Sequence, residues 1–152
     1  MGAWKERLAE LGIELPEVAT PVAAYVPAVR SGSQVFTSGQ LPFVGGKLAA
    51  TGKVGAEVDA EQAHAHARTC ALNALAAVDA LVGLDSIVRI VKVVGFVASA
   101  EGFTGQPAVI NGASELLGEV FGDAGVHARS AVGVAELPVG APVEVEMIVE
   151  VA

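Results

Sequence analysis

Apolar residues recur at two different periods along this chain, and the period changes at glycine and proline. From Asp59 to Val82, Ala63, Ala67, Cys70, Ala71, Ala74, Val78 and Leu81 fall on one stripe at helical spacing, which predicts an amphipathic helix. Asp59 is placed to cap it and Gly83 to end it. So much alanine on one stripe lets the helix lie close to a sheet. A second helix is predicted from Pro107 to Phe121, with Ile110, Ala113, Leu117 and Val120 inward, and a short charged one within Met1–Leu11, around WKERLAEL.

Between the helices the pattern changes to that of strands. Ser86 to Ala98 (SIVRIVKVVGFVA) is β-branched and apolar at both alternating sets of positions, apart from Arg89 and Lys92. A strand of that kind needs both faces covered. Ala23–Val29 and Gln34–Gly39 read as a strand pair around the turn Arg30–Ser33, and Pro27 marks the first as an edge or a bulge. Ala128–Leu137 and Pro142–Val151 read as another pair around Pro138–Gly140. Val44–Gly55, rich in Gly and Lys, reads as a loop. Gly46-Lys47 and Gly52-Lys53 within it lack the spacing of a phosphate-binding loop. The predicted class is α+β: a mixed sheet with two helices on one face, in one domain over residues 20–152, with residues 1–19 as an extension carrying the short helix.

Composition adds a requirement to that picture. The 152 residues are 53% hydrophobic and the mean hydropathy is +0.57, yet no apolar run approaches the ~20 residues of a membrane span. Such a chain is expected to bury surface against copies of itself, through the sheet face that two helices cannot cover. The formal charge of −8 and pI near 4.7 argue against binding a phosphate backbone. The opening residues have no apolar signal segment, and Glu6 stands where a myristoylation motif wants Ser or Thr, so the expected location is the cytoplasm.

Few side chains offer chemistry. Cys70 is the single cysteine and sits on the apolar stripe, where an inert buried thiol is expected. His64 and His66 are two apart on a helix, so they point to opposite sides and form no metal pair. No metal or cofactor is expected. Arg129 is different: Ala128, Ser130, Ala131, Val132 and Gly133 around it are small or apolar. A guanidinium there must reach water, a strand carboxylate or a bound anion, because burying it unpaired is costly. Glu144, Glu146 and Glu150 alternate with apolar residues on one side of the last strand. If Pro138–Gly140 closes a tight hairpin, Glu144 pairs near Ala135 and lies roughly 20 Å along the chain from Arg129. A shared site would then draw one of the two from another subunit.

These residues also fall into familiar segments. Thr37-Ser-Gly-Gln-Leu-Pro42 resembles the SGQ-hydrophobic-Pro signature of the YjgF/Rid (reactive intermediate deaminase) family. Ala128-Arg-Ser130, Ala135-Glu-Leu-Pro138 and Val143-Glu-Val-Glu146 resemble its C-terminal signature, and Tyr25, Phe96 and Asn111 fit in position. The resemblance runs from about residue 20 to the end. It implies a chorismate-mutase-like homotrimer with clefts between subunits, and hydrolysis of 2-imino and 2-enamino acids to 2-oxo acids and ammonia. It implies that Arg129 clamps the substrate carboxylate and that backbone groups of Gly39 and Ala131 hold the carboxylate and imine ends. Glu144 would position the attacking water, with Tyr25, Ser38, Phe96 and Asn111 around the cleft. Three departures from the family pattern stand out: Ala131 where many members have cysteine, Val126-His127 in place of an aromatic-Pro pair, and a longer segment at Thr104–Pro107. Besides deamination, two other activities stand open: binding of small carboxylates without turnover, and cleavage of RNA, against which the acidic charge counts.

Overall fold

A computed structural model of the chain describes residues 2–18, 21 and 24–152. The boundary expected between residues 19 and 20, and Ala23 at the head of the first expected strand, lie outside them. Helix α1 (Ala3–Glu10) opens the chain. It is followed by strands β1 (Ala28–Ser31) and β2 (Gln34–Thr37), and by a small hairpin of β3 (Phe43–Val44) and β4 (Lys47–Leu48). Helix α2 (Ala60–Val82), strand β5 (Ile87–Ala98), helix α3 (Gln106–Phe121), strand β6 (Ala128–Val134) and strand β7 (Val143–Val151) complete it.

Local chemistry accounts for the ends of α2. Asp59 Oδ1 accepts from the Gln62 amide at 2.8 Å while Gln62 Oε1 accepts from the Asp59 amide at 3.0 Å, a reciprocal cap. Gly83 stops the helix with φ at 84°, a conformation that favours glycine. The predicted stripe is buried as far as Val78, but Leu81 is exposed. The step of four residues from Val78 leads instead to Val82, which packs against the core. In α3 the expected inward residues are buried, with Val109 and Leu116 beside them. Its close approach depends on two glycines. A Cβ on Gly95 would strike the Ile110 side chain, and one on Gly112 would strike the His64 carbonyl oxygen on α2.

The five-stranded sheet runs β1-β2-β7-β5-β6, which corrects the expected C-terminal hairpin. β6 and β7 are not paired. β5 lies between them, parallel to β6 and antiparallel to β7, and it breaks register twice, at Ile87/Arg89 and Ile90/Lys92. The most apolar strand takes an interior slot, with a neighbour on each side, and so satisfies its backbone on both edges. Both strands of the first pair are shorter than expected, and the first begins later, while the second begins at Gln34 as expected. The turn between them is Gly32-Ser33, with Gly32 at φ 61°, and Pro27 precedes β1 on the sheet edge. The Val44–Gly55 segment is not wholly loop, because Gly45 and Gly46, at φ 59° and 79°, close the β3–β4 hairpin.

Three α-helices therefore accompany the sheet. α1 is fastened by a carboxylate remote in sequence: Asp85 accepts from the amides of Gly2, Trp4 and Lys5 at 2.9–3.0 Å. Trp4 Nε1 donates to the Ile87 carbonyl at 2.8 Å, and its ring meets Phe121 edge-on at 4.9 Å. Val35, Ile90, Val93, Val97, Val145 and Val149 are fully buried on the helix side of the sheet. The registers put Phe36, Ile148 and Lys92 in one row of the opposite face, Val94 and Glu146 in the next, and Glu144, Phe96 and Val132 in a third. Among the described residues no helix covers that face; Phe36 and Val132 are 37% and 44% exposed there. None of the described helices is long and apolar enough to cross a membrane.

Candidate functional site

The predicted site residues gather in two clusters. The first lies where the edge strand β6 passes α3. Arg129 Nη1 donates to Asn111 Oδ1 at 2.7 Å and to Ser114 Oγ at 3.3 Å, and Nη2 donates to the Pro107 carbonyl at 3.4 Å. Asn111 and Ser114 present one helical face because they are three residues apart. All three acceptors are neutral, and among the described residues no carboxylate lies within salt-bridge distance of Arg129. The guanidinium carries five N–H groups. The Nε–H and one Nη2 hydrogen, on neighbouring nitrogens, have no acceptor among the described residues. Ala131, next on the same side of β6, packs against the core.

A hydrogen-bond chain continues behind Arg129. Ser114 Oγ lies 2.9 Å from His127 Nε2, and His127 Nδ1 lies 2.6 Å from the Gly125 carbonyl. Ser114 was not singled out from the sequence, and His127 only as a departure from the family pattern. A signal existed in the spacing: His-x-Arg at strand period and Asn-x-x-Ser at helix period converge on one place.

The second cluster forms around Glu144 on β7. Between Phe36, opposite Ile148, and Gln40, opposite Val145, the β2 side carries one extra residue, which makes a bulge. Thr37 bridges the gap, its buried hydroxyl accepting from the Met147 amide at 3.0 Å. The bulge brings Gly39 against the Glu144 carboxylate; a Cβ there would sit 2.8 Å from Glu144 Cδ. Ser38 is held by its amide and hydroxyl, which donate to the Pro27 and Val26 carbonyls at 2.8 and 2.6 Å. Asn73 on α2 secures the following turn, donating to the Leu41 and Phe43 carbonyls at 2.9 and 3.1 Å. Phe96 stands directly opposite Glu144, and Tyr25 is exposed. Burial, and then the charge of Glu146, push the Glu144 carboxyl above its ordinary range.

Arg129 and Glu144 do not meet within one chain. Arg129 stands opposite Val93 and Glu144 opposite Phe96, an odd step along β5, so their side chains leave opposite faces of the sheet. Three rows and two strand spacings separate their Cα atoms by on the order of 14 Å. The hairpin reasoning fails and the distance is shorter than the roughly 20 Å it gave, but the two side chains still stand apart, on opposite faces of the sheet. The two hollows beside α1, one lined by Leu8, Ile13 and Leu15 and the other by Trp4 and Phe121, contain none of the predicted site residues. Elsewhere, His64 pairs with Glu115 across α2 and α3 at 2.9 Å, and burial lowers the proton affinity of His66. Cys70 is fully buried, and burial first, then the Glu144 charge, raise its thiol well above the usual range.

Residues 5–151 match the family described as "YjgF/chorismate_mutase-like, putative endoribonuclease". The chain belongs to this family and has its α+β fold. It is 49% identical over 147 residues to Protein TCP17 of Trypanosoma cruzi, spanning 94% of this chain and 91% of that one. The crystal structure of Atu1372 from Agrobacterium tumefaciens, a protein of unknown function, superposes with a TM-score of 0.90 at 47% identity over 99% of this chain and 93% of its own. That of E. coli TdcF with bound serine superposes at 0.65 with 26% identity, over 91% and 97%.

Proposed function

We propose that three copies of this chain pack through their bare sheet faces and, in the clefts between them, hydrolyse 2-imino and 2-enamino acids to 2-oxo acids and ammonia. The observation that carries the proposal is the state of Arg129: a guanidinium steadied by three neutral acceptors, with no carboxylate partner among the described residues. A cation so arranged has its orientation fixed and its charge unspent, and the Nε–H with a neighbouring Nη2–H matches a carboxylate. The serine bound to E. coli TdcF is an amino acid with such a carboxylate. Opposed placement of Arg129 and Glu144 is the reason for a second subunit. A Glu144 cluster from one copy, with Gly39, Ser38, Phe96 and Tyr25, would complete the Arg129, Asn111 and Ala131 cluster of the next.

The chemistry asks little of the protein, because an imine already reacts with water. Holding the carboxylate and placing a water beside the imine carbon supply most of the gain. The raised affinity of Glu144 for its proton suits a group that takes one from that water. RNA cleavage is disfavoured by the charge of −8 and the absence of a basic groove among the described residues.

The test is ammonia release from imines generated in situ by an amino-acid oxidase. Arg129→Ala should leave the assembly folded, abolish acceleration and weaken 2-oxobutanoate binding by about 2–5 kcal/mol. Arg129→Lys should fail nearly as badly, since a point ammonium cannot make the two-pronged contact. Binding of the oxo acid without any acceleration of ammonia release would reduce the proposal to a carboxylate-binding protein. No binding by the wild type would overturn it.

A further inference from the structure

The bulge beside Gly39 costs β7 a hydrogen-bond partner, and one side chain replaces it. Val145 and Met147 both turn their amides toward the β2 side. Val145 finds the Gln40 carbonyl at 3.0 Å, and Gln40 donates back to the Val145 carbonyl at 2.8 Å. For Met147 the extra residue leaves no β2 carbonyl in register, and the Thr37 hydroxyl accepts at 3.0 Å instead. Thr37 is only 7% exposed, so without that oxygen the Met147 N–H would be a buried donor with no partner. It could regain one only by drawing a β2 carbonyl back into register, which undoes the bulge.

The segment that the bulge throws out is pinned at both ends. Ser38 donates to the Pro27 and Val26 carbonyls before it. Asn73, buried on α2, holds the Leu41 and Phe43 carbonyls after it. Gly39, between them, makes no backbone hydrogen bond among the described residues. Its backbone lies against the Glu144 carboxylate, which has no hydrogen-bond donor and no ion-pair partner among the described residues.

We infer that Thr37 is a positioning residue for Glu144, its hydroxyl holding the bulge that lays the Gly39 backbone against the carboxylate. The inference rests on the hydrolase reading, in which Glu144 takes a proton from the attacking water, and deepens it by naming what places that group. Thr37 itself acts only through Gly39. A bulge held shut keeps Glu144 half-buried, where burial, and then the Glu146 charge, favour its protonated form. A bulge let go admits water, and the affinity for the proton falls.

The titratable groups around Glu144 are Glu146 on β7, Lys92 two rows away on β5, and Cys70 behind the strand on α2. In the proposed assembly Arg129 of the next copy joins them. The Ser38–Gln40 segment and Phe96 add no charge. All of these are the same in wild type and in a Thr37 variant, so a difference between the two reads the bulge.

Thr37→Val keeps the shape of the side chain and removes the oxygen, whereas Thr37→Ser keeps the oxygen. In the assembled protein, Thr37→Val should lower kcat for ammonia release about a hundredfold, the scale of a misplacement of about 1 Å. The acid limb of its pH profile, set by Glu144, should move to lower pH, and Thr37→Ser should restore both. Stability gives a readout independent of turnover. Native Glu144 holds its proton to higher pH than the unfolded chain does, so the wild-type melting temperature should fall as pH rises through that range. In Thr37→Val the fall should be shallower. Thr37→Ala, equally without the oxygen, should behave alike and serves where the valine variant does not fold. A limb and slope unmoved by removing the oxygen, whatever the rate, would overturn the inference, and so would losses that Thr37→Ser fails to restore. A wild type that gives no ammonia acceleration sinks the hydrolase reading, while the melting slopes still decide whether Thr37 places Glu144.

Discussion

Glu144 is half-buried in a strand, has Glu146 two residues on, and lies under a backbone with no side chain at Gly39. Burial and the second carboxylate both favour its protonated form, so the folded chain holds that proton to higher pH than the unfolded chain does. Where the native state binds more protons, stability falls as pH rises. The loss should run from the ordinary carboxylate range up through the raised value, and not in the usual acid direction. Glu144→Gln removes the titrating group. Melting temperatures across about pH 4 to about pH 7 should decline in the wild type relative to the variant, and parallel curves would contradict the assignment. At this scale the sequence was informative about Arg129, since a lone cation among small residues has few options. It was silent on what receives the charge. Asn111 and Ser114 are 18 and 15 residues away, and only the packing of α3 on β6 brings them there.

Among the elements, α2 was legible almost to the residue because its signals are local: a reciprocal cap, a period and a terminal glycine. The contact of α2 with α3 was not. Gly112 on α3 faces the His64 backbone so closely that a Cβ would strike the carbonyl oxygen. In an isolated helix Gly→Ala is worth about 1 kcal/mol in favour of alanine. Here the methyl meets backbone, which cannot swing aside like a long side chain, and overpacking costs about 1–3 kcal/mol. Gly112→Ala should therefore lower stability despite the better propensity, as read from the denaturation midpoint. A gain in stability would mean that the helices have room to part. The C-terminal strands were found but mispaired for a related reason: a short turn suggests a hairpin, while the slot between β6 and β7 is claimed by a strand some thirty residues upstream.

For the whole molecule the governing fact is the sheet's second face. Val94, Phe96, Val132, Ile148 and Phe36 share it with Lys92, Glu144 and Glu146, and exposed apolar area of this kind marks a surface for association. Ile148 is central and points away from the helices, so Ile148→Glu should leave the fold intact while placing a charge in the proposed interface. Light scattering should show a trimer for the wild type and a monomer for the variant, with deaminase activity lost along with assembly. A monomeric wild type would remove the basis for clefts completed by a second chain, and a trimeric variant would move the interface elsewhere.

The sequence by itself determined the helices, the long strands, the family and the residues worth suspecting, because capping, periodicity and short motifs act over a few positions. It also required that something cover the far side of the sheet, since a strand apolar on both sides cannot leave one in water. Tertiary structure decided which strands are neighbours, and through that which site residues meet. Strand order places Arg129 and Glu144 on opposite faces, and the single extra residue near Gly39 sets that glycine against Glu144. The approach of α3 to β6 joins Arg129 to Ser114 and His127. Each of these depends on contacts between segments far apart in the chain, whose energies no local pattern encodes.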